Sequence, residues 1–250
     1  ELPQNIRPND ATISLYQERR IAHIQHRGYE RRLYTIDPIG NAVDYQKQPN
    51  KSSGALDTAL TTGYLFSYLY YENGTIKYNG KAMDGRFERN IDDDMPFFSH
   101  STGKSITSYI VGHAICDGYI SSMDEVIDWP MMSKTLYQGQ PLRNLLNMNA
   151  GDRHTVDETG TYVMGSATHH RHIGLDTIAA SLEGVEKRGN KVFYNNWLAD
   201  VIANYIVFKT GDNYKELMRK IFQDKVKIKY PVSYEKHAAT LTNGQRSSYY

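Results

Sequence analysis

With 250 residues, 40% of them hydrophobic, the chain is long enough to bury one large core or two small ones. Its 29 Lys and Arg stand against 28 Asp and Glu, a formal net charge of +1, so no long-range field draws it to nucleic acid or to an anionic membrane. The sequence contains no run of about 18 apolar residues that would span a bilayer as a helix, and the single cysteine, Cys116, excludes an intrachain disulfide.

Residues 1–50 mix charge with Asn, Gln and Pro and read as an N-terminal extension or lobe packed on a core formed by residues 51–250. The clearest element of that first stretch runs from Tyr29 to Thr35, before the turn signal Asp37-Pro38. Tyr64 to Tyr71 is an aromatic-rich run separated by Asn73-Gly74 from Thr75 to Tyr78, and Asn-Gly between two such runs predicts a β-hairpin. Asp92, Asp93 and Asp94 read as a solvated turn, because they lack the glycine-spaced loop of a calcium site. Beyond them Ile106, Tyr109, Ile110 and Ala114 recur at helical spacing, with Val111 and Ile115 widening the stripe. This predicts a helix buried in the middle of the domain, with Cys116 as a small core residue and Asp117-Gly118 as its stop.

His154, His169, His170 and His172, with Asp152, Asp157 and Glu158 nearby, fit no zinc spacing and read as a surface loop. Trp197 opens a further helix with Leu198, Val201, Ile202 and Tyr205 on one stripe, ending at Lys209-Thr210-Gly211, and another helix follows from Tyr214 to Phe222. There is no internal repeat and no low-complexity segment, and Gly103-Lys104-Ser105 lacks the earlier glycine of a phosphate-binding loop. The fold class expected is mixed α and β.

Chemistry concentrates at Ser101-Thr102-Gly103-Lys104. A hydroxyl and an amine three residues apart lie on one face of a helix. Serine is a poor nucleophile until a neighbouring base takes its proton, and lysine serves as that base where its surroundings disfavour its charge. A helix N-terminus adds partial positive charge and free N–H groups suited to a developing oxyanion. The bland alternative is that Ser101 is only a helix N-cap.

The segment Pro96-Phe97-Phe98-Ser99-His100-Ser101-Thr102-Gly103-Lys104-Ser105-Ile106-Thr107-Ser108 resembles the active-site segment of the class C β-lactamase-like serine hydrolases, a branch of the β-lactamase and penicillin-binding-protein family that includes esterases and 6-aminohexanoate-dimer hydrolases. Asp117-Gly118-Tyr119-Ile120, with Asp124 after it, is similar to that family's helix exit. Pro141 to Gly151 is similar to a segment that there usually ends in Ser-Gly, with Ala150 in place of the serine. Tyr194-Asn195-Asn196 matches the family's Tyr-x-Asn element.

The resemblance implies an antiparallel sheet flanked by helices plus a helical lobe, and a serine hydrolase acting on an amide or ester through a covalent acyl-enzyme, with no cofactor and no metal. Ser101 would be the nucleophile and Lys104 the acceptor of its proton. Tyr194 would relay a proton to the leaving group, and Asn196 would bind a substrate amide or the lysine. One oxyanion donor would be the Ser101 backbone N–H. The family's Lys-Thr-Gly element is not Lys209-Thr210-Gly211, which lies too soon after Tyr194 and reads as a helix ending. That element and the last strands are expected beyond Tyr250, so the fold is expected to lack its C-terminal part. The implied partner is a small-molecule amide or ester; the residues themselves fix no compartment, and the resemblance leans to an exported or periplasmic setting. The alternative is a non-catalytic protein of the same fold that binds or senses cell-wall-type ligands.

Overall fold

The computed structural model describes residues 33–48, 54–62, 65, 67–81, 99, 101–152, 179–180, 182–194, 197–235, 237–240 and 246–249. The chain divides into two compact units, one comprising Glu1–Arg31 and Gly40–Phe98, the other Arg32–Ile39 and Ser99–Tyr250. It is a mixed α/β protein built from helices and small sheets. Among the described residues the strands form three separate sheets, of two, three and two strands.

In the first unit, β2 (Gln46–Lys47) pairs in parallel with β4 (Thr75–Lys81), and β4 pairs antiparallel with β3 (Ser67–Glu72). The expected hairpin is present. Glu72 faces Thr75, and the intervening Asn73 and Gly74 have φ of 49° and 78°. Both central residues therefore lie in the left-handed region, which Asn tolerates and Gly adopts without strain, and the turn's twist matches that of the strands. Helix α1 (Gly54–Thr62) packs on β4, where Leu60 and Ile76 are buried and the Tyr68 hydroxyl donates to Asp57 Oδ1 at 2.6 Å.

In the second unit, α2 (Thr102–Cys116), α3 (Leu142–Leu146), α4 (Trp197–Thr210) and α5 (Tyr214–Arg219) enclose the core, and a π-helical turn, Lys220–Lys225, continues α5. Strand β1 (Leu33–Ile36) pairs antiparallel with β5 (Val232–Glu235), and β6 (His237–Thr240) with β7 (Arg246–Tyr249). The α4 stripe is buried as its periodicity predicts, with Leu198, Val201, Ile202 and Tyr205 all in the core. Both α2 and α3 pack against α4, which makes it the shared support of the unit.

Three expectations are corrected. Helix α2 is not buried around its circumference: only Ile110, Val111 and Ala114 are fully buried, with Ile106 and Ile115 partly buried against the core. Tyr109 is 48% exposed and meets His113 edge to face on the outer side, with ring centroids 4.7 Å apart. Cys116 is exposed as well. Apolar side chains on several faces of a helix bury only where another element lies opposite, and α4 covers one stripe. Asp152, expected in a surface loop, is 1% exposed and accepts a 2.9 Å hydrogen bond from the Tyr137 hydroxyl. Asp157, Glu158, the histidines of that loop and the Asp92-Asp93-Asp94 turn lie outside the described residues.

Candidate active site

Ser101 immediately precedes α2 with helical backbone angles, φ −66° and ψ −16°, and its side chain makes no capping hydrogen bond. The N-cap role that most often explains serine at a helix start is therefore unfilled here. Instead the hydroxyl is engaged by the two side chains singled out in the sequence. The Tyr194 hydroxyl donates to Ser101 Oγ at 2.6 Å, although 93 residues separate them, and Lys104 Nζ approaches the same oxygen at 3.4 Å. Lys104 Nζ also lies 4.8 Å from the centre of the Tyr194 ring. One hydroxyl, one ammonium and one phenol thus converge, all within the second unit.

Local backbone structure places the first two. The Lys104 N–H donates to the Ser101 carbonyl at 3.1 Å and the Thr102 N–H to the Ser99 carbonyl at 3.0 Å, so the first turn winds tightly and brings position 104 over position 101. Tyr194 arrives on a segment that belongs to no helix or strand. The Phe193 N–H donates to the Met148 carbonyl at 2.7 Å, which anchors the residue beside the phenol.

The Tyr194 phenol is held below its ordinary value of 10.0, first by its hydrogen-bonding contact with Lys104 and second by Ser101, with burial opposing. Positive charge next to a phenol stabilises the phenolate. The 2.6 Å contact then carries a proton either way: the neutral phenol donates to Ser101, and the phenolate accepts from it. The O–O contact is the shorter of the two made by Ser101 Oγ, a feature the Ser-x-x-Lys spacing did not disclose. The site is open rather than enclosed, with Ser101 exposed and Tyr194 57% exposed.

The other residues noted in the sequence fall as follows. Asn196 lies outside the described residues. Ala150 is fully buried, and its carbonyl accepts a 2.9 Å hydrogen bond from Gln140 Nε2. Lys209 and Thr210 end α4, and Gly211 opens the short 3-10 turn that follows it. Lys209 Nζ pairs with Glu125 Oε1 at 2.9 Å, and the Thr210 hydroxyl bonds the Ile206 carbonyl at 2.7 Å. Asp124 pairs with Arg143. Among the described residues no cluster of His, Cys, Asp or Glu is arranged to hold a metal ion, and no helix is long and apolar enough to cross a membrane. Compared with known proteins, the chain matches no family model and no curated protein.

Proposed function

We propose that the chain is a serine hydrolase of the class C β-lactamase-like type, cleaving an amide or ester through an acyl-enzyme on Ser101. The observation that carries this reading is the 2.6 Å contact between the Tyr194 and Ser101 hydroxyls beside Lys104. The resemblance of the Ser-x-x-Lys, Pro141 to Gly151 and Tyr-x-Asn segments to that family supports it, and extends it to the family's sheet-and-helix fold.

In this mechanism the Tyr194 phenolate takes the Ser101 proton while Lys104 supplies the charge that keeps the phenolate accessible. The distances favour this division of labour over direct transfer to Lys104. Ser101 Oγ bonds to the carbonyl carbon, giving a tetrahedral oxyanion near the positive N-terminal end of α2. Collapse breaks the bond to the leaving nitrogen or oxygen, which takes the proton from Tyr194. Water then gives a proton to Tyr194 and attacks the acyl carbon; the ester bond to Oγ breaks, and the proton returns to Ser101.

The rival reading, a non-catalytic protein that binds cell-wall-type ligands, draws on the exposure of Tyr194, since acyl transfer benefits from a water-poor site. Labelling with a fluorophosphonate separates the two. The expected result is stoichiometric labelling of wild type and none of Ser101→Ala, with turnover of a p-nitrophenyl ester, a cephalosporin or a short amide oligomer lost in the same variant. Labelling that survives in Ser101→Ala would overturn the assignment of the nucleophile, and an unlabelled, inactive wild type would favour the binder.

A further inference from the structure

The segment that delivers Tyr194 is not part of any helix or strand, so its position depends on what it is laid against. Two backbone hydrogen bonds fasten it to the turn that follows α3: the Arg188 N–H donates to the Gly151 carbonyl at 2.9 Å, and the Phe193 N–H to the Met148 carbonyl at 2.7 Å. Both acceptor residues have left-handed backbone, Met148 with φ 54° and Gly151 with φ 81°. At Gly151 the approach is closer than any side chain permits. A Cβ there would stand 2.7 Å from the Gly189 carbonyl oxygen, 2.6 Å from Lys187 Cγ and 3.2 Å from the Arg188 nitrogen. Lys187 is exposed, so its side chain can rotate away. The Gly189 oxygen is backbone and moves only if the segment moves.

We propose that Gly151 is a positioning residue for the proposed hydrolase: its missing side chain lets residues 187–189 close onto the turn, and that docking, completed at Met148, sets the Tyr194 hydroxyl against Ser101. The inference rests on the catalytic reading above and names the part of the chain that builds it. Ser101 is fixed through α2, and the 148–151 turn through α3, both of which pack on α4. The distance between nucleophile and phenol is thereby a property of one rigid support plus one close backbone contact.

The test is Gly151→Ala in the full chain, with tyrosine labelled at its ring carbon Cζ and the Tyr194 signal identified by its loss in Tyr194→Phe. In wild type this signal is expected to titrate below the ordinary phenol value. In Gly151→Ala it returns towards 10.0, the Tyr194 contacts with Lys104 and Ser101 being lost, and kcat on a p-nitrophenyl ester falls about a hundredfold with KM little changed. Gly139→Ala is the control for backbone strain alone: Gly139 has φ 73° but nothing within 4 Å of where a Cβ would stand, so stability falls while the Tyr194 titration and kcat stay as in wild type.

If Gly151→Ala does not fold, Arg188→Pro decides. It removes the N–H bonded to Gly151 while replacing an exposed side chain, and the same upward movement of the Tyr194 titration is expected. Wild-type titration and kcat in a folded Gly151→Ala, or in Arg188→Pro where only that variant folds, overturn the inference and leave the catalytic reading standing. An ordinary titration of Tyr194 in wild type, without fluorophosphonate labelling, overturns the catalytic reading itself.

Discussion

Ser101 is set apart by a bond that its side chain does not make. A serine whose oxygen caps the first N–H groups of a helix turns its hydroxyl to the backbone, whereas Ser101 makes no such bond and meets Tyr194 and Lys104 instead. The depressed phenol fixes the sign of the pH dependence. Under the proposed mechanism phenolate is the reactive form, so kcat/KM is expected to rise with pH and to level off at the lowered value of Tyr194, below 10.0. Replacing Lys104 with methionine removes the leading cause of that depression. The rising limb of the pH profile is expected to move up towards 10.0, and the rate at pH 7 to fall by about a hundredfold. A Lys104→Met profile superimposable on wild type would remove the ammonium from the mechanism. The residues of this trio are legible in the sequence because they sit in short motifs with their own chemistry. The 2.6 Å contact is not, since nothing in the spacing of two motifs says which oxygen lies nearest.

Helix α4 ties the unit together at its C-terminal half. The Tyr205 hydroxyl donates to Glu125 Oε1 at 2.8 Å and lies 3.2 Å from Asp128 Oδ1, while Lys209, one turn on, pairs with the same Glu125 oxygen. Glu125 Oε2 in turn accepts the Ser121 N–H at 2.6 Å. A loop following α2 is thus fastened to α4 by one phenol and one ammonium, with Tyr205 fully buried. Tyr205→Phe keeps the ring but leaves both carboxylates without that donor. A loss of about 1–3 kcal/mol is expected in urea unfolding, with labelling of Ser101 retained in the folded protein. An unchanged midpoint would mean that water replaces the hydroxyl without loss. At this scale the sequence is informative where one local rule dominates. The α4 stripe and the Asn73-Gly74 hairpin follow from periodicity and turn chemistry alone. Helix α2 does not, because its apolar residues outnumber the neighbours available to cover them, and only the packed structure selects Ile110, Val111 and Ala114 over Tyr109.

Across the molecule, what escapes the sequence is the stretch between α2 and Gly151, where much of the second unit's core lies in turns. Ile120, Ile127, Trp129, Met132 and Tyr137 are buried there without a strand or long helix to give them a period. The order comes from paired backbone groups, such as the Ile127 N–H on the Gln140 carbonyl and the Gly139 N–H on the Ile127 carbonyl, each at 2.8 Å. Buried Gln140 adds side-chain bonds to the Leu136 and Ala150 carbonyls. Pairings of this kind depend on which groups meet in space and leave no repeat to read. They also make whole-molecule stability answer to pH through Glu125. Burial raises its carboxyl, but the Ser121 N–H, Lys209 and Tyr205 outweigh that and hold it at about 2 against an ordinary 4.5. A carboxyl depressed in the folded state contributes stability that is complete above its unfolded value and is lost as protons bind. The midpoint of urea unfolding is therefore expected to fall steadily as pH drops from 4.5 towards 2. Glu125→Gln cannot titrate, so its midpoint begins lower at neutral pH and changes less over that interval. Parallel curves for the two proteins would show that other carboxylates, and not the α4 clamp, govern acid unfolding.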